Sequence, residues 1–172
     1  MIFVCPLSRM PETVSKSGAQ RLVTLINAET GVDRPAQISA ENYLRLSVND
    51  IWEAHDGMTL PGEAHMRQLL DFATAWDRVR PMVIHCYAGV SRSTASAYIV
   101  ASALAPARDE MELARELRWL SPSATPNPRM IALADTMLGR EGRMIEAIKS
   151  IGRGADAFEG VPFSLSIDSF DV

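Results

Sequence analysis

The sequence predicts an α/β fold: a mainly parallel central sheet of about four or five strands, flanked by helices, in a single domain covering residues 1–172. Three observations carry this. Short apolar runs, several rich in β-branched residues, alternate with segments of helical periodicity, the pattern of strands joined by crossover helices. No repeat, low-complexity tract or linker divides the 172 residues, a length that suits one domain with a sizeable core. The apolar run Met82-Val83-Ile84 leads into a glycine-bearing loop and then an Ala-rich segment, a strand–loop–helix unit of the kind that binds anions.

Ile2 to Cys5 reads as a first strand. Pro6, Ser8 and Pro11 mark a turn, and Pro11 opens a short helix through Lys16 that Gly18 ends. Arg21 to Ile26 is a second strand, and Asn27 to Pro35 a loop. Tyr43 to Val48 alternates apolar and polar residues, as a strand with one face more exposed. The long connection from Asn49 to Pro61 holds Asp50, Trp52, Glu53, His55 and Asp56, and long loops after strands often carry function. Pro61 opens a helix to about Arg78 with Met66, Leu69, Leu70, Ala73 and Trp76 inward. Met82 to His85 is the strand entering the glycine loop, and the helix from Ser93 ends near Pro106. Asp109 caps a helix through Leu120; Asn127-Pro128 caps another that stops at Gly139; Gly142 to Ile151 is a last amphipathic helix. Residues 150–172 form a C-terminal tail whose clusters Val161-Pro162-Phe163 and Leu165-Ser166-Ile167 pack back in extended form.

Composition narrows the function. A net charge of −4 argues against nucleic acid or an anionic membrane surface as main partner. Two cysteines give no disulfide framework and suit a reducing compartment. The opening Met1 to Cys5 is too short for a signal-peptide core, and no apolar run reaches the length of a membrane span, so a cytoplasmic location is expected. The three histidines and two cysteines show no metal-ligand spacing, and no cofactor is expected.

The segment His85-Cys86-Tyr87-Ala88-Gly89-Val90-Ser91-Arg92-Ser93 concentrates the chemistry. Backbone N–H groups of a tight loop, together with the helix N-terminus, make an anion cradle. Cys86 stands at its entrance and Arg92 at its exit, a setting that favours a thiolate facing a tetrahedral oxyanion. His-Cys-x5-Arg-Ser resembles the signature loop of the cysteine-dependent protein tyrosine phosphatase superfamily. Gly89 and the Ser91-Arg92-Ser93 ending are most similar to its compact dual-specificity branch. The downstream Pro-Asn turn with its helix is similar too, and the likeness extends over most of residues 1–139.

The resemblance implies hydrolysis of a phosphomonoester through a cysteinyl-phosphate. Cys86 would attack phosphorus; the N–H groups of Tyr87, Ala88, Gly89, Val90, Ser91 and Arg92 would hold the oxygens; the Arg92 fork would bind two of them. His85 would orient the loop. Ser93 either assists departure of the thiolate or caps the helix. The general acid would be Asp50, directly at a strand end and 36 residues before Cys86, with Asp56 as the alternative. Trp52 reads as packing. In some relatives a second cysteine protects the nucleophile by disulfide formation; for Cys5 a buried strand thiol is the stronger reading. The partner is a phosphorylated protein or small phosphate ester, with phosphotyrosine favoured because Tyr87, Ala88, Val90 and Ser91 are all uncharged. Two other classes compete: a non-catalytic phospho-binding module, and a rhodanese- or arsenate-reductase-like thiolate enzyme.

Overall fold

Five strands form one sheet: β1 (Ile2–Pro6), β2 (Arg21–Ile26), β3 (Tyr43–Ser47), β4 (Met82–Cys86) and β5 (Phe163–Leu165). A computed structural model describes residues 1–167. The strand order is β3-β2-β4-β1-β5; the first four strands run parallel and β5 joins antiparallel to β1. β4 is therefore central, and the chain leaves it at Cys86, where open α/β sheets place their ligands.

All five residues of β4 are buried, which fits a strand covered on both faces. Alternation splits its side chains. Met82, Ile84 and Cys86 join the larger core; Val83 joins the smaller one with Cys5, Met10, Val14 and Leu22. Helix α1 (Met10–Ser17) covers the smaller core. The larger core is built by α2 (Glu63–Thr74), α3 (Arg92–Leu104), α4 (Glu110–Leu120), α5 (Pro128–Met137) and α6 (Arg143–Ser150). Eleven of the thirteen α3 residues are buried, and its alanines and serines let the helix lie close against β4 and β1. The fold thus fixes the start of α3, directly after the loop, in the middle of the protein.

Two boundaries differ from the sequence reading. The helix expected to run to Arg78 stops at Thr74. Arg78 takes a left-handed backbone (φ 62°), and the reversal lets Trp76 bury its ring while its indole N–H donates to the Arg80 carbonyl at 2.9 Å. The C-terminal clusters pack back in extended form as expected, but Phe163–Leu165 is a strand, β5, that completes the sheet edge, with Leu165 and Ile167 buried. A three-residue strand has too little periodicity to stand out in sequence. No helix among the described residues is long and apolar enough to cross a membrane.

Candidate active site

The loop from Cys86 to Arg92 wraps around the Cys86 sulfur. Sγ is buried, lies 3.1 Å from Ser93 Oγ, and accepts from the Gly89 N–H at 3.3 Å. The loop carbonyls are tied outward, one after another. Leu7 N–H donates to Tyr87 O (3.0 Å), Gly160 N–H to Ala88 O (2.8 Å), Thr125 N–H to Val90 O (2.9 Å), and Ala95 N–H to Ser91 O (2.9 Å). The Thr94 hydroxyl donates to Val90 O and Ser91 O. Across a planar trans peptide the carbonyl and the following N–H point opposite ways. Outward carbonyls at 87, 88, 90 and 91 therefore direct the N–H groups of Ala88, Gly89, Ser91 and Arg92 into the loop. Gly89 makes this curvature possible. Its φ is +71°, and a Cβ there would lie 2.6 Å from Pro6 N and 2.8 Å from Cys5 C.

Arg92 is buried, with Nη1 donating to Val48 O at 2.7 Å. Its Nε is buried too and has no hydrogen-bond partner among the described residues. An unpaired guanidinium N–H is costly unless an anion supplies the acceptor, and an oxyanion in the adjoining cradle would do so. Val48 is the residue after β3, so the same contact ties the end of that strand to the loop.

Asp50, two residues on, is brought to the loop's rim. Its Oδ1 accepts from Ser91 Oγ at 2.7 Å and from Asn127 Nδ2 at 2.9 Å. Asn127 is bifunctional: its Oδ1 caps α5, accepting from Arg129 N–H and Met130 N–H at 3.1 and 3.2 Å, while its amide holds Asp50. With Oδ1 doubly bonded, Oδ2 is the oxygen left to exchange a proton. Asp56 is exposed and its carboxylate makes no hydrogen bond with the described residues. The loop brings Cys86, Arg92 and Ser93 together, and hydrogen bonds tie Asp50, but not Asp56, to Ser91 and Asn127 beside it.

His85 faces away from the pocket. Its Nδ1 lies 3.3 Å from the Cys86 carbonyl, which can only accept, so Nδ1 carries the proton. Nε2 then accepts from the Thr24 hydroxyl at 2.8 Å. Burial drives the imidazole pKa down to about 4, against a partial upward pull from the Cys86 carbonyl, so the ring is neutral near pH 7. Its ring is held between the Cys86 carbonyl and the Thr24 hydroxyl. Cys5 shares this face of the sheet. Burial pushes its thiol up to about 12, against a downward pull from the Thr13 hydroxyl. Cys86 projects from the other face, toward α3, so the alternation of the sheet separates the two sulfurs.

Sequence reasoning missed several contributors. Thr94, in the first turn of α3, anchors two loop carbonyls. Ser93 does not cap the helix; Ser91 occupies that position, and its hydroxyl is spent on Asp50. Trp52, read as packing, is 61 % exposed and lies beside Pro128, Arg129 and Leu133 of α5. Tyr87 is exposed as well. Thr24 and Gly160 carry no local signal, because each meets the site only through the fold. A groove of about 460 Å³ between α1 and β5 shares no residue with the loop.

Neither a family model nor a curated protein sequence matches the chain. Solved structures do. Human DUSP28 superposes with a TM-score of 0.61 at 19% identity, over 81% of this chain and 89% of its own. A mouse putative dual specificity phosphatase complexed with zinc tungstate gives 0.61 at 17% identity, covering 86% of each chain. The chain has the dual-specificity phosphatase fold. PTPMT1 in complex with PI(5)P is also similar, with a TM-score of 0.60 at 15% identity over 88% of this chain and 92% of its own. Within that dual-specificity fold, the Cys86–Arg92 loop follows the central strand and opens the most deeply buried helix.

Proposed function

We propose that this protein is a cysteine-dependent phosphomonoesterase acting on phosphotyrosine or a comparable aryl phosphate. The observation that carries the reading is the Cys86 sulfur set inside a ring of inward N–H groups, with an unpaired buried Arg92 Nε beside it. Such a ring suits the equatorial oxygens of a phosphoryl group and the charge they bear in the transition state.

In the first step the Cys86 thiolate attacks phosphorus. The S–P bond forms as the P–O bond to the leaving group breaks, and Asp50 Oδ2 gives its proton to that oxygen. In the second step Asp50 takes a proton from water, the water oxygen attacks phosphorus, and the P–S bond breaks to release inorganic phosphate. The Ser93 hydroxyl, 3.1 Å from Sγ, stabilises the departing thiolate. Arg92 holds two phosphoryl oxygens in both steps.

The loop's charge argues for a singly phosphorylated substrate. Arg92 is its only cation, and Asp50, the carboxylate bonded to the loop's Ser91 side chain, is acidic. A highly phosphorylated inositol would meet repulsion there. Wild-type protein should release phosphate from p-nitrophenyl phosphate and from tyrosine phosphopeptides. Cys86→Ser should abolish this; turnover that survives the substitution would sink the proposal. A panel adding inositol phosphates, thiosulfate and arsenate separates the competing thiolate chemistries, and tight phosphopeptide binding without wild-type turnover would identify a binding module instead.

A further inference from the structure

Residues 154–165 lie beyond the last helix, yet they reach the outer side of the loop. Gly154 N–H donates to Thr125 Oγ1 at 3.1 Å and Ala155 N–H to Pro122 O at 2.9 Å, fastening the segment to the turn before α5. Glu159 Oε2 accepts from Ser8 Oγ at 2.7 Å, fastening it to the turn after β1. Directly after the second anchor, Gly160 N–H donates to Ala88 O at 2.8 Å.

Gly154 and Gly160 are glycines for space. Neither has a left-handed φ, but a Cβ would lie 2.5 Å from the Ser123 carbonyl at position 154 and 2.8 Å from Gly89 O at position 160. Backbone thus packs directly on the phosphate loop. The contact at Ala88 has a specific consequence. Ala88 O and Gly89 N–H belong to one peptide plane, and the Gly89 N–H is the one that reaches Cys86 Sγ. Gly89 has no Cβ, so little steric resistance keeps this peptide from rotating its carbonyl inward. The tethers on the neighbouring carbonyls at 86, 87, 90 and 91 come from residues before α5, at positions 7 to 127. The 88–89 peptide is held from the C-terminal segment.

We propose that Gly160 is a positioning residue: its N–H latches the Ala88–Gly89 peptide so that the Gly89 N–H faces the nucleophile, and residues 154–165 are an integral part of the oxyanion pocket. This deepens, and rests on, the reading of the loop as a phosphoryl cradle. A latch that favours the anion-binding geometry must itself be tightened by a bound anion, by linkage.

The test uses the full chain with tungstate as probe. Gly160→Ala places a methyl against Gly89 O, and Gly160→Pro removes the donor outright. Each should weaken tungstate binding about tenfold or more and slow alkylation of Cys86 by iodoacetate at fixed pH. Each should also lower kcat/KM toward p-nitrophenyl phosphate by roughly 10²-fold, the scale of losing one oxyanion donor. Val79→Ala, outside this segment and 76 % exposed, should leave all three unchanged. Circular dichroism monitors folding. If both Gly160 variants fail to fold, hydrogen exchange in the wild type decides: saturating tungstate should slow the Gly160 amide more than amides of α4. Folded variants with wild-type tungstate affinity and alkylation rate, or a Gly160 amide no more protected than α4, would overturn the latch. Wild-type protein that binds no tungstate overturns the cradle reading itself, and the latch with it.

Discussion

Asn127 Nδ2 lies 2.9 Å from Asp50 Oδ1, across 77 residues of sequence, so the cap of α5 also orients the carboxylate proposed as general acid. The two functions of Asn127 are separable. Asn127→Asp keeps an oxygen to cap the helix but sets a second carboxylate against Asp50. Its melting temperature should stay close to wild type. Turnover should fall about 10–100-fold on phenyl phosphate, whose leaving oxygen needs a proton, and less on p-nitrophenyl phosphate. Equal losses on both substrates would place Asn127 outside acid catalysis.

The choice between the two aspartates follows from the same network. Asp50→Asn should lose the basic limb of the pH–rate profile and about 10²-fold or more in kcat; Asp56→Asn should change little. Loss of that limb in the Asp56 variant alone would reverse the assignment.

His85 predicts a pH dependence of stability. Its folded-state pKa is depressed to about 4 from 6.5, so the unfolded chain binds more protons between those values. The neutral ring's stabilisation is complete above pH 6.5 and is lost as pH falls toward 4. The slope from this group is at most about 1.4 kcal/mol per pH unit. Urea unfolding at pH 7, 6 and 5 should show it, and His85→Gln should flatten it. A variant as steep as wild type would remove His85 from the account.

Gly89→Ala tests the loop's curvature. A left-handed backbone costs a non-glycine residue about 1–3 kcal/mol, and the new methyl would lie 2.6 Å from Pro6 N. Oxyanion affinity should fall together with thermal stability. A stable variant with wild-type tungstate affinity would mean that the loop tolerates another path.

Much of this was legible in the sequence for definite reasons. Met82 to Ile84 is apolar without interruption and leads into a glycine loop, so both the central strand and the reactive loop declare themselves locally. Asn127-Pro128 announced a helix start, and α5 begins there with the Asn127 side chain as cap. What could not be read is what depends on distance in three dimensions. Asn127 has a local role that explains it fully, so nothing in the sequence signals its second partner. Thr24 sits in a β-branched run like any other strand threonine, and only the β2–β4 register sets it opposite His85. Gly160 lies in a short extended stretch, and its need for a missing side chain comes from a loop 70 residues earlier.

The central claim is that Cys86 carries the phosphoryl group between two half-reactions. Asp50→Asn should form the intermediate from p-nitrophenyl phosphate, whose leaving group needs little protonation, and then hydrolyse it slowly. Acid-quenched protein digested and analysed by mass spectrometry should carry one phosphoryl group on the peptide containing Cys86, labile to nucleophiles, and none in Cys86→Ser. Rapid turnover by wild type with no phosphoryl group ever trapped on Cys86, or a label retained in Cys86→Ser, would contradict it.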